Sequence, residues 1–200
     1  MISNKNTCLG FTLIELMVTL AIAAILLMVA IPSMTTYKRN AELTSATNTL
    51  LGSINAARSE AMKRGMNAMV VPTNNGTDWN AGWIVFVYKF VAGRTPAYAY
   101  DATYDTLISS QASLPSYVTI SASGTAGSSA PYVMFDASGF GKTKGEAGMV
   151  TNFTFNIARN DVAGAEIFTQ TRRIKASRIG RVRVCKPISA TDSKCLAAAD

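Results

Sequence analysis

The chain contains no histidine and little charge, and both features limit the chemistry that it can perform. None of its 200 residues is histidine, and Asp, Glu, Lys and Arg together make up only 16%. Histidine is the usual general base near neutral pH and the commonest metal ligand, and the carboxylates here are scattered without a metal-ligand spacing. The sequence therefore predicts a protein that is not an enzyme and has no metal or other cofactor.

One long apolar run lies near the start of the chain. It extends from Phe11 to Ile31, and Glu15 is its only ionisable residue. At 1.5 Å per residue, a helix of this run is about 30 Å long, enough to cross the hydrocarbon core of a bilayer. The preceding residues, MISNKNTCLG, end in glycine, and no small-x-small site follows the run, which disfavours an ordinary secretory signal peptide. We therefore expect residues 11–31 to anchor the chain in a membrane.

Cysteine is scarce, and its positions fit an exported protein. Cys8 precedes the apolar run, so removal of residues 1–10 would leave only Cys185 and Cys195, which are separated by nine residues. In a domain exported across the membrane, such a pair favours a disulfide that stabilises the C-terminal loop by about 2–3 kcal/mol. The alternative is two free thiols.

Helical periodicity continues beyond the apolar run, through residues 32–64. Apolar residues three or four positions apart form one stripe, as expected for an amphipathic helix. The residues of this stripe are Leu43, Ala46, Leu50, Ile54, Ala57 and Ala61. The sequence predicts one helix from about Phe11 to about Arg64, with a kink at Pro32, where a backbone hydrogen bond is lost.

After Gly65 the sequence changes to short β-rich runs separated by Gly, Ser and Asn, without a sign of a second domain. The predicted strands are Met66–Val71, Trp83–Phe90, Tyr117–Ser121, Tyr132–Phe135, Asn152–Ile157, Arg172–Ala176 and Arg181–Cys185. The predicted fold class is α+β, in which a long N-terminal helix packs by its second half against an antiparallel β head of residues 65–200.

A carboxylate near the start of a membrane helix is costly unless it acquires a partner. Here it lies in the segment Gly10-Phe11-Thr12-Leu13-Ile14-Glu15-Leu16, which resembles the start of the type IV pilins. The resemblance implies that a prepilin peptidase cuts the leader between Gly10 and Phe11 and methylates the new amine. It also implies that Glu15 pairs with that amine during filament assembly. The alternative is a tolerated acid in an ordinary anchor.

Three landmarks further along the chain resemble the FimT/GspH minor pilins. They are Ala57-Arg58-Ser59-Glu60-Ala61, Gly82-Trp83 and Gly180-Arg181-Val182-Arg183. The resemblance implies a two-sheet β-sandwich head and a single-pass protein of the bacterial inner membrane. It further implies a periplasmic head that later joins a pilus or pseudopilus with other major and minor pilins. Alternatively, Arg58 and Glu60 form a solvated helix face, and Trp83 is a core residue.

Most of the excess positive charge is concentrated near the C-terminus. The segment from Arg159 to Lys194 contains nine Lys or Arg against three Asp or Glu. Strand periodicity places Arg181 and Arg183 on one face, with the intervening valines toward the core. If residues 177–180 form a hairpin turn with Gly180 at positive φ, further cations lie nearby. The complete predicted ridge is Arg173, Lys175, Arg178, Arg181, Arg183 and Lys186.

A cationic ridge of this kind suits double-stranded DNA, because each neutralised phosphate releases counterions whatever the base sequence. Phe168 is the only aromatic residue after Phe155, so single-strand recognition by base stacking is disfavoured. In the FimT branch, the Gly-Arg-x-Arg similarity implies DNA binding in natural transformation through Arg181 and Arg183, with Gly180 as a hinge. The assignment of Arg173, Lys175, Arg178 and Lys186 to the same DNA-binding site rests on their charge and proximity alone.

Two alternatives to DNA binding remain open at this point. The basic strand can pair with acidic neighbouring pilins, or it can be a solvated sheet face. The second hypothesis for the whole protein is therefore a structural minor pseudopilin of a type II secretion system, or an assembly-priming minor pilin, without nucleic-acid contact. The leader and the helix fit both hypotheses equally well.

Overall fold

The computed structural model of the chain describes residues 10–73, 76–93, 98–145, 152–177 and 179–195, without the side chains of residues 29 and 32. The chain divides into two compact units, Met1–Ala41 and Glu42–Asp200. The second unit contains the later part of the long helix and all the strands. Residues 1–9 of the predicted leader, including Cys8, lie outside the described residues.

Helix α1 begins at Leu13 and ends at Arg64, which confirms the single long helix predicted from the sequence. The large apolar side chains in its first part are exposed in the single chain. Within the described residues, no individual helix passes as a membrane span. The two helical segments Leu13–Met28 and Ser33–Arg64, which are bent by 41° relative to each other, are together long and apolar enough to cross a membrane, judged by length and composition alone. The break between these two segments includes position 32, where the sequence predicts a kink.

The strands of the described residues form two antiparallel four-stranded sheets. Their bounds are β1 (Ala68–Pro72), β2 (Trp83–Val87), β3 (Thr106–Gln111), β4 (Val118–Gly124), β5 (Val133–Phe135), β6 (Phe153–Arg159), β7 (Thr171–Ala176) and β8 (Val182–Cys185). Sheet A has the order β3-β2-β1-β5 and sheet B the order β4-β6-β7-β8, so β8 is an edge strand. A short helix, α2 (Glu166–Thr169), connects β6 to β7.

Helix α1 and both sheets contribute to one hydrophobic core, which confirms the predicted α+β class. The whole apolar stripe of the helix is buried there, against residues such as Val85 of sheet A and Phe155 of sheet B. Trp83 is also buried, and its indole N–H donates to Ser53 Oγ at 2.9 Å. The interpretation of Trp83 as a core residue is therefore correct.

Strand β3 was not predicted from the sequence. Its residues, Thr106–Gln111, read TLISSQ and are mostly exposed, because β3 is the edge strand of sheet A. The alternation of apolar and polar residues that indicates a half-buried strand is therefore weak.

The outer face of sheet A carries a second apolar cluster. Its buried members are Met69, Val71, Phe86, Tyr88, Tyr132 and Met134. These residues alternate along their strands with residues of the main core, as the period of a strand requires. The ring of Tyr98 stacks on Tyr88 at a centroid distance of 5.0 Å, and Lys144 Nζ lies 4.3 Å from the centroid of the Tyr132 ring. Loop residues thus cover this face.

Candidate functional site

The start of helix α1 contains the carboxylate that the sequence singles out. The Thr12 N–H and hydroxyl donate to Glu15 Oε2 at 3.0 and 2.9 Å, and the Glu15 N–H donates to Thr12 Oγ1 at 3.3 Å. This is a capping box, which the sequence analysis missed although Thr-x-x-Glu before an apolar run is its usual signature. Glu15 therefore has a local partner before any cleavage. Cleavage after Gly10 and pairing of Glu15 with the amine of Phe11 stay predictions.

Strands β7 and β8 are joined by the predicted hairpin turn. The Ser177 N–H donates to the Arg181 carbonyl at 3.0 Å, and the Gly180 N–H donates to the Ser177 carbonyl at 2.9 Å. Gly180 has a φ of 76°, a left-handed conformation that glycine adopts without steric cost. Both the turn and the positive φ of Gly180 are confirmed, whereas Arg178 lies outside the described residues.

Three of the predicted cations are exposed on and around the edge strand β8, namely Arg181, Arg183 and Lys186. A cleft of about 290 Å³ opens on this surface and is lined by Lys175, Ser177, Ile179, Arg181 and Arg183. Guanidinium groups at an open cleft can form charge-assisted hydrogen bonds with phosphate oxygens. The hairpin therefore presents two arginines at one site.

The predicted alternation along β8 is correct for its first valine and incomplete for the second. Val182 packs against the core, whereas Arg183 lies opposite Lys175 on the outer face. Val184 lies opposite the buried Ile174 but is 39% exposed. An edge strand has a neighbour on one side only, so its inner face is incompletely covered.

Arg173 and Lys175 are too buried to form part of an exposed ridge, which corrects the sequence prediction, although Lys175 still lines the cleft. They are only 7% and 2% exposed. Arg173 Nε donates to Asn156 Oδ1 at 2.9 Å, and a second nitrogen of Arg173 donates to the Cys195 carbonyl. Burial lowers the pKa of the Arg173 guanidinium, and the Asp192 carboxylate opposes this effect. An arginine with such partners stays charged, and these hydrogen bonds give it a structural role in the fold.

Cys185 and Cys195 form the predicted disulfide, with their Cα atoms 5.9 Å apart. The bridge ties the end of β8 to the C-terminal loop. Within that loop, the Asp192 carboxylate accepts hydrogen bonds from the backbone N–H groups of Ile188 and Lys194 at 3.2 and 3.0 Å. These bonds order the loop internally, and the hydrogen bond from Arg173 to the Cys195 carbonyl attaches it to the outer face of sheet B.

The end of helix α1 contacts the hairpin through Arg58. This residue is half-buried, and its Nε donates to the Gly139 carbonyl at 2.9 Å. The same carbonyl oxygen lies 2.2 Å from the position that a Cβ on Gly180 would occupy. The solvated-face interpretation is therefore wrong for Arg58. Glu60 instead pairs with Arg64 at 2.6 Å on the helix surface, and this hydrogen bond lowers the pKa of Glu60.

Two parts of the sequence match known families. Residues 46–180 match the family described as type II transport protein GspH, and residues 5–31 match the prokaryotic N-terminal methylation motif. No curated protein is similar enough to the chain to match it. A crystal structure of the type IV minor pilin FimU of Pseudomonas aeruginosa PAO1 is 19% identical over 71% of this chain and 91% of that one, with a TM-score of 0.47. A second crystal form of FimU gives 18% identity, 74% and 96% coverage, and a TM-score of 0.49.

Proposed function

Since this chain belongs to the GspH family and begins with an N-terminal methylation motif, we propose that it is a minor type IV pilin that binds extracellular double-stranded DNA for natural transformation. The family comprises pilins and pseudopilins, which are structural proteins and not enzymes. The motif implies processing by a prepilin peptidase, and the family implies assembly with other pilins. In this proposal, residues 11–31 hold the new chain in the inner membrane, with its head in the periplasm, until it enters the filament.

The observation that carries the DNA proposal is the exposure of Arg181 and Arg183 at one cleft of the edge strand. Contacts to phosphates require no particular base, so binding through these groups is tolerant of sequence. None of the described residues that line the cleft is aromatic. Backbone contact with a duplex therefore suits the cleft better than base stacking with a single strand.

A second candidate is a structural minor pseudopilin of a type II secretion system, or an assembly-priming minor pilin. The family description favours this candidate, and the family match ends at Gly180, before Arg181 and Arg183. In that role, the cations of the hairpin pair with acidic surfaces of neighbouring subunits instead of DNA.

A binding titration distinguishes the two candidates. The full-length chain in a non-ionic detergent is titrated against a fluorescent random-sequence duplex at two salt concentrations, in parallel with the variant Arg181→Gln/Arg183→Gln. We expect weak wild-type binding that falls steeply with salt. In the variant, the salt slope should fall by about 0.9 for each phosphate that is no longer neutralised. Absence of wild-type binding at low salt contradicts the DNA proposal and favours the structural candidate.

A further inference from the structure

Three residues far apart in the sequence meet at the turn of the β7–β8 hairpin. Arg58 belongs to helix α1, Gly139 to the turn after β5, and Gly180 to the turn before β8. We infer that Arg58 is a positioning residue, whose guanidinium holds the β7–β8 hairpin against the end of helix α1. It thereby sets the direction in which Arg181 and Arg183 project. The consequence for DNA rests on the proposed function, whereas the positioning of the hairpin does not.

The contact at Gly180 is close enough to transmit a displacement. A Cβ at this position would lie 2.2 Å from the Gly139 oxygen, 3.3 Å from Arg58 Nε and 3.4 Å from Arg58 Cζ. The glycine thus packs directly on the hydrogen-bonded pair, and no methyl group fits between them. A movement of the Arg58 side chain or of the Gly139 carbonyl toward Gly180 would therefore displace the hairpin turn.

The carbonyl that Arg58 binds is itself held in place by the turn of residues 136–140. The Asp136 carboxylate accepts from the backbone N–H groups of Ser138 and Phe140 at 2.9 and 3.1 Å. The Gly139 N–H donates to the Asp136 carbonyl at 2.9 Å. Such a side-chain-supported turn is stiff, so the Gly139 oxygen stays directed at Arg58.

The other end of the contact is equally well anchored. Ala57 and Ala61, which flank Arg58 on helix α1, are fully buried in the core. The guanidinium therefore projects from a rigid segment and joins two turns that no strand pairing connects to the helix. This arrangement explains why an arginine, with a long stem and a planar donor group, is suited to the position.

The chain provides a matched control for the charge of Arg58. Arg64 is also an arginine near the end of helix α1, but it pairs with Glu60 on the same helix at 2.6 Å. Loss of Arg64 removes the same charge without removing the hydrogen bond to Gly139. A difference between the two substitutions therefore reports on position and not on net charge.

The test combines hydrogen exchange with DNA titration, using full-length Arg58→Met, Arg58→Lys and Arg64→Met. In Arg58→Met, the amides of Ser177 and Gly180 should exchange about five- to tenfold faster, as expected for loss of one hydrogen bond, while those of β6 keep their protection. Duplex affinity should fall by a similar factor with an unchanged salt slope. Arg58→Lys, which keeps a donor and the charge, should restore part of the protection, and Arg64→Met should change neither property.

The inference is overturned if hydrogen exchange at the hairpin of Arg58→Met is unchanged. It is also overturned if the salt slope of Arg58→Met falls by about 0.9, because that fall indicates that Arg58 contacts a phosphate directly. If Arg58→Met does not fold, Gly180→Ala replaces it, because the added methyl separates the same surfaces. If the hairpin amides of Gly180→Ala then exchange as slowly as those of the wild type, the inference is also overturned. If the wild type binds no DNA, the proposed function fails, and the exchange rates still decide whether Arg58 positions the hairpin.

Discussion

The two sheets of the head share one core but differ in their outer faces. Sheet A is covered by an aromatic cluster in which the rings of Phe86 and Tyr100 lie 5.3 Å apart. On sheet B, the outer face is polar, and Arg173 joins Asn156 to the disulfide-bonded loop through the Cys195 carbonyl. The comparison indicates that the outer face of sheet A is a second structural core. In the proposed function, the edge of sheet B is the surface that contacts DNA.

The largest effect on stability is expected from Phe86→Ala. Phe86 is fully buried on the outer face of sheet A, so its truncation leaves a cavity and should lower the free energy of unfolding by about 3–5 kcal/mol. Guanidinium unfolding of the full-length chain measures the change. A loss below about 1 kcal/mol, the typical effect of an arbitrary substitution, shows that the cluster is only a surface feature, and the contrast between the sheets disappears.

The next effect concerns the loop that covers sheet B. The variant Cys185→Ser/Cys195→Ser lacks the bridge and should lose about 2–3 kcal/mol, chiefly because the unfolded chain is no longer constrained. Thermal unfolding of the variant, with the wild type in reductant as a second sample, measures this loss. Equal stability in all samples contradicts the assigned role of the disulfide.

Arg173 and Arg183 lie on the same face of sheet B, but their substitutions should differ in effect: one should mainly lower stability, and the other should mainly lower the affinity for DNA. Arg173→Met removes a buried group and leaves Asn156 and the Cys195 carbonyl without their partner, at a cost of about 1–3 kcal/mol. Arg183→Met removes an exposed group and should change stability by less than about 0.5 kcal/mol. Duplex titration of both folded variants should show the larger loss of affinity for Arg183→Met. Equal changes in stability and in duplex affinity for the two variants contradict the division between structural and exposed cations.

The smallest effect is expected from Thr154→Val on the outer face of sheet B. Thr154 Oγ1 is buried and has no hydrogen-bond partner among the described residues. Replacement of the hydroxyl by a methyl group removes an unsatisfied polar atom and should raise the free energy of unfolding by up to about 1 kcal/mol. A clear destabilisation shows instead that a bound water satisfies the hydroxyl.

The elements that the sequence predicts well are those with strong local patterns. The stripe from Leu43 to Ala61 has helical spacing, and Phe153, Phe155 and Ile157 alternate with polar residues. Strand β3 lacks such a pattern because its side chains are exposed at a sheet edge. Local periodicity therefore predicts the elements of the core but not the exposed edge strand β3.

The cations show where sequence patterns are insufficient. Exposure of Arg173 depends on the loop that returns to its strand, and its partner carbonyl belongs to Cys195, 22 positions away. Arg58 is joined to Gly139 across 81 positions. Neither interaction has a local signature. Gly139 and Gly180 are the signal in the sequence that could have indicated these two turns, because a left-handed conformation or close packing often requires glycine where the chain turns.

The most direct test of the account separates the location of charge from its amount. Arg181→Gln/Arg183→Gln removes two cations from sheet B, and Lys89→Gln/Lys142→Gln removes two from the surroundings of sheet A, where Lys142 lies 3.5 Å from Asp136. The dissociation constant for one random duplex is measured at one low salt concentration for both full-length variants. We expect the first variant to bind the duplex much more weakly than the wild type and the second to retain the wild-type affinity. Equal reductions in both variants contradict the account, because net charge and not the hairpin then determines affinity.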